Sequence, residues 1–143
     1  MKQDPFGDLQ QWDHVLDQLE ELRSSHMLDE SQPGLARILR YRRNWRLVER
    51  VLQLARDIQQ ANDLLIWEVL SIVVDSNMDL ENRVLAARAL GSLLPRFPPT
   101  QDAVSLDLGR VEEMLEALTK KPGPPIVLKA VREVLDELGA TRQ

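Results

Sequence analysis

Residues 64–94 read LLIWEVLSIVVDSNMDLENRVLAARALGSLL. Between Leu64 and Asp75 only Glu68, Ser71 and Asp75 itself are polar. A helix that is apolar nearly all round has to be buried, and each large side chain taken out of water contributes about 1.5–3 kcal/mol. Ser76–Asp79 is a short polar turn, and Asp79 is placed to cap the helix after it. On that second helix Val84, Ala87, Leu90, Leu93 and Leu94 form an apolar face. Ala86, Ala87, Ala89 and Gly91 are small enough for a neighbouring backbone to come close. The stretch therefore reads as one helical hairpin whose first helix needs cover on more than one side. Other hairpins stacked against it would supply that cover.

Working towards the N-terminus, Leu9, Trp12, Val15, Leu16, Leu19 and Leu22 recur at helical spacing and predict a helix near 8–24. Ser25–Pro33 is polar and ends in Pro33-Gly34, the mark of a loop. Leu35, Ile38, Leu39, Trp45, Val48, Val51, Leu52, Ala55 and Ile58 then make a stripe over 34–60. It is either one helix or two split near Arg43-Asn44, where Asn44 is a poor interior residue and a good N-cap.

Towards the C-terminus, helices are predicted near 63–75, 80–94, 107–120 and 125–138. Pro95, Pro98 and Pro99 end one of them, and Arg96–Ser105 is the longest loop. Pro122–Pro125 forces a turn, and Gly139 is placed as a C-cap. No strand pattern occurs. The expectation is one all-α domain over 1–143, with six or seven helices in about three consecutive hairpins.

Composition excludes several functional classes. The 143 residues include no cysteine, so there is no disulfide framework, thiolate metal site or cysteine nucleophile. MKQDPFGDLQQW contains no apolar signal segment, and the run at Leu64–Val74 is too short to span a bilayer. The expected setting is soluble and cytoplasmic, with no membrane association. His14 and His26 fit no paired metal motif on one helix. Glu20-Glu21 and Glu112-Glu113 read as solvated helix faces, and no phosphate loop or serine-nucleophile motif is present. Neither an enzymatic activity nor a cofactor or metal is expected.

The second helices overlay. Val84, Ala87, Leu90 and Leu94 correspond to Leu128, Val131, Val134 and Leu138, and to Val48, Val51, Leu54 and Ile58. Such periods in helical chains point to solenoid repeats. The hairpin at 64–94 also resembles a HEAT repeat: Asp75 or Asp79 takes the acidic place, Arg83 the basic one, and Ala86, Ala87, Ala89, Leu90 and Gly91 form the small-residue helix. Asn82 stands where that family has an apolar residue. The resemblance implies an αα-superhelix, with the Asp and Arg tying neighbouring repeats together. The alternative is a non-repeating helical bundle.

The net charge of −5 conceals a basic block. Arg37, Arg40, Arg42, Arg43, Arg46, Arg50 and Arg56 follow an acidic first helix that carries Asp13, Asp17, Glu20 and Glu21. Two outcomes are open. The block can pair internally with that helix, or Arg42, Arg43, Arg46 and Arg50 can form a binding surface with Trp45. Trp12, Trp45 and Trp67 all lie on apolar stripes, which predicts core positions, with Trp45 also placed to stack on Arg42 or Arg46. The functional expectation is a non-catalytic protein–protein interaction or scaffold module that takes a protein or peptide partner. Nucleic acid held by Arg37–Arg50 is the alternative, since arginines interleaved with aromatics suit phosphates and bases. An apolar face at either end leaves a homodimer open.

Overall fold

The computed structural model describes residues 4–96 and 108–142. Among the described residues there are seven α-helices and no strand. They are α1 (Trp12–Ser24), α2 (Gln32–Arg40), α3 (Trp45–Leu54), α4 (Asp63–Val73), α5 (Leu80–Leu93), α6 (Leu108–Thr119) and α7 (Pro125–Arg142). No helix among them is long and apolar enough to cross a membrane.

The hairpin α4–α5 lies at the centre. Helix α5 packs against α4, α3 and α7, while α4 also packs against α2. Leu65, Ile66, Val69, Leu70, Ile72 and Val73 of α4 are all buried, as the near-continuous apolar pattern requires. Helix α1 lies on α3, and α6 pairs with α7.

Caps set the breaks between elements. Asn62 opens α4 by accepting the amide of Leu65, and Asp79 opens α5 by accepting that of Asn82. Asn44 opens α3, its carboxamide oxygen taking the amides of Arg46 and Leu47. The stripe over 34–60 is therefore two helices, with the break at Tyr41–Asn44. Helix α4 closes differently. Its last carbonyl, that of Val73, accepts from Nε of Arg83 at 3.0 Å, and Arg83 is buried.

Three boundaries differ from the sequence-based expectation. Helix α1 starts at Trp12 rather than near residue 8, because residues 4–9 form a strap. Phe6 is fully buried, and Asp4 pairs with Arg37 of α2 at 2.5 Å. Helix α2 starts at Gln32, so Pro33 occupies its first turn and Gly34 lies inside it. A β-carbon on Gly34 would stand 2.7 Å from the Phe6 ring, so the strap sits there only because the residue is glycine. Helix α7 continues through Gly139 to Arg142, so that glycine is not a terminator. The loop expected over 96–105 lies, past Arg96, outside the described residues, as does the expected helix start at Asp107.

Two polar residues of the segment read as a loop act as ties. Gln32 is buried, donates to the carbonyls of Asp29 and Gln60 and accepts the amide of Asn62. The Asp29 carboxylate accepts the amides of Gln59 and Gln60. Together they bind the start of α2 to the α3–α4 connection.

Candidate functional site

The arginine block is largely neutralised within the protein. Arg40 pairs with Glu68 of α4 at 2.9 Å. Arg42 reaches Asp75 at 2.5 Å, Ser71 at 2.8 Å and the carbonyl of Leu39 at 2.9 Å. Arg50 reaches Glu20 at 2.6 Å and Gln53 at 3.1 Å. Internal pairing is thus the outcome for Arg37, Arg40, Arg42 and Arg50, but only Arg50 uses the first helix. The other partners come from the N-terminal strap and α4. The packing explains this: α2 lies against α4, and only α3 lies against α1. Asp13, Asp17 and Glu21 form none of these pairs.

Titration reflects the pairing. Hydrogen bonds from Arg23 first and then Arg50 hold the Glu20 carboxyl below its usual value. The Arg37 hydrogen bond does the same for Asp4. Glu68 moves the other way, because partial burial outweighs the pull of Arg40 and Arg42.

Arg42 and Arg50 are therefore structural residues and drop out as primary binding contacts. Arg43 is exposed on the α2–α3 connection and makes no ion pair with the described residues. Arg46 is exposed too, and its guanidinium lies 5.5 Å from the Trp45 ring centroid and 6.0 Å from that of Trp12. Such contacts contribute about 0.5–1 kcal/mol at exposed sites.

The tryptophans depart from the expected core placement. Trp67 packs against the core, but Trp12 is 42% and Trp45 52% exposed. Trp12 opens α1 and Trp45 opens α3, and a first-turn side chain is covered only where a neighbour reaches that far. Leu80, the first residue of α5, is 47% exposed and shares with Trp45, Asp79 and Glu81 a cavity of about 380 Å³. Trp12, Arg46, Trp45 and Leu80 thus make one continuous exposed surface. Trp12 and Leu80 were not singled out in the sequence. Their signal was position: a large apolar residue in the first turn of a helix.

The largest cavity, about 420 Å³, lies elsewhere, between the end of α1 and the 57–59 connection. Of its polar groups, Arg23 is held by Glu20 and Asp29 by two backbone amides. Among the described residues no group of three His, Asp or Glu side chains can hold a metal ion. No protein-family model, curated protein or solved structure matches the chain.

Proposed function

We infer that this protein is a non-catalytic protein-binding module, built as a short αα-superhelix, whose contact surface is centred on Trp45. The carrying observation is the exposed run Trp12–Arg46–Trp45–Leu80. Tryptophan and arginine dominate the energetics of protein interfaces, and contiguous exposed apolar surface marks such sites. The charges around it describe the partner. Arg43 and Arg46 lie on one side of Trp45, and Asp79 and Glu81 edge the cavity on the other. A segment with a large apolar side chain between an acidic and a basic residue complements that arrangement.

Three features support the superhelical part of the reading. The overlaid helices α3, α5 and α7 pack in series, and α2 packs on α4. Asp75, in the acidic position of the HEAT-like pattern, pairs with Arg42 of the preceding hairpin. Asn82, the departure from that pattern, donates to the carbonyl of Trp45 at 3.3 Å, so it too ties successive hairpins.

The test is affinity capture from native extract with the wild type, with Trp45→Ser/Leu80→Glu and with Arg43→Glu/Arg46→Glu, read by mass spectrometry. Partners held by the wild type and lost from both variants are the expected result. Partners retained by both variants would move the surface elsewhere. An electrophoretic shift with DNA or RNA that weakens steeply with salt would replace the reading with nucleic-acid binding. A wild-type dimer that Leu80→Glu dissociates would replace it with self-association.

A further inference from the structure

A second surface, away from Trp45, lies where α3, α5 and α7 pack side by side. Between α3 and α5 runs a groove of about 90 Å³, with Leu52, Leu85 and Ala89 beside Gln53 and Ser92. Arg56 and Arg88 both line it, and no carboxylate does. Both arginines are exposed, and neither makes an ion pair or a side-chain hydrogen bond among the described residues. In a protein of net charge −5 that neutralises most of its arginine block internally, two uncompensated guanidinium groups on one small cavity stand out.

Like charges on a shared cavity repel, and an anion between them removes that repulsion while gaining charge-assisted hydrogen bonds. The planar guanidinium fork matches a carboxylate in geometry. The groove continues past Arg88 and Ser92 into a cavity of about 190 Å³ between α5 and α7, where Glu133 and Glu137 form part of the wall. Arg88 pairs with neither of them. A polynucleotide laid along this path would bring its regularly repeated phosphates against those carboxylates. A peptide, whose charge varies from residue to residue, meets no such conflict.

We propose that the α3–α5 groove binds an acidic peptide segment, with one carboxylate side chain clamped between Arg56 and Arg88 and an adjoining apolar side chain on Leu52 and Leu85. The experiment is a titration of the ¹⁵N-labelled full chain with the capped peptide Glu-Glu-Leu-Glu-Glu, followed through backbone amide shifts. Its Gln-for-Glu counterpart, inorganic phosphate and an oligothymidylate serve as the comparison probes. The expected result is a set of shifts at Gln53, Arg56, Leu85, Arg88 and Ser92 with the acidic peptide. Binding should be at least ten-fold weaker for the Gln peptide and for the Arg56→Gln and Arg88→Gln variants, whose unchanged far-ultraviolet dichroism would show that they fold. Trp45→Ser should leave this binding intact, which separates the groove from the surface proposed above. The proposal is overturned if these amides do not move, if the Arg88→Gln protein binds like the wild type, or if phosphate or oligothymidylate binds the same residues more tightly.

Discussion

Gly34 controls whether the N-terminal strap can close. A β-carbon there would meet two atoms of the Phe6 ring at 2.7 and 2.9 Å and the backbone at Asp4 Cα at 3.0 Å. Phe6 is fully buried, so the ring has little room to yield. Overpacking costs about 1–3 kcal/mol, and alanine returns about 1 kcal/mol of helix propensity over glycine. Gly34→Ala is therefore expected to destabilise the protein by about 1–2 kcal/mol in urea unfolding. In a Phe6→Leu background, where the ring is gone, the same change should cost nothing or stabilise. Phe6 and Gly34 were individually unremarked in the sequence, because their contact joins an irregular segment to a helix and follows no period.

At the level of elements, capping decides where the chain turns. Asn44 separates α2 from α3 and accepts two amides at 3.0 and 3.4 Å. Replacing such a cap by alanine costs about 1 kcal/mol. Asn44→Ala is expected to lower stability by that amount in thermal or urea unfolding. The cap also orients Trp45, which follows it directly, so partner capture should weaken along with stability. The periodic stripes made the helices from α2 to α7 legible, and Asn44, Asn62 and Asp79 were readable as caps because their side chains bond locally. The exposure of Trp12 and Trp45 was not readable. A residue on an apolar stripe is buried only if another element lies over it, and in a first turn that depends on how far the neighbouring helices extend.

For the whole molecule, ion pairs join segments distant in sequence: Asp4 to Arg37, Glu20 to Arg50, Glu68 to Arg40 and Asp75 to Arg42. Their response to pH is not uniform. The Asp4 carboxyl titrates below its usual 3.8 when folded, so its contribution is present above that value and is lost as pH falls through the lower folded value. Asp4→Asn should therefore weaken the protein at pH 7, and the gap to wild type should close as acid protonates Asp4. Glu68 runs the opposite way. Its folded value is raised, so the folded state takes up the proton more readily and gains relative stability as pH falls through that value. Glu68→Gln should be at least as stable as wild type at pH 7 and should lose that advantage in acid. Urea unfolding across pH for the two variants checks both signs. Of the site residues read from the sequence, Arg43, Trp45 and Arg46 remain at the surface, while Arg42 and Arg50 are held by partners at 2.5 and 2.6 Å.

Local chemistry sufficed for the all-α class, for the buried hairpin at its centre and for most caps, because hydrophobic periodicity and side-chain capping act within a few residues. The strap over Gly34, the distribution of the arginines among four different partner segments, and the meeting of Arg56 with Arg88 arise only in three dimensions. Each joins residues about 30 positions apart (Asp4 and Arg37 are 33 apart, Arg50 and Glu20 are 30 apart). Charges carry no periodic signature of their partners, so which of them cancel and which stay free depends on the helices that pack together.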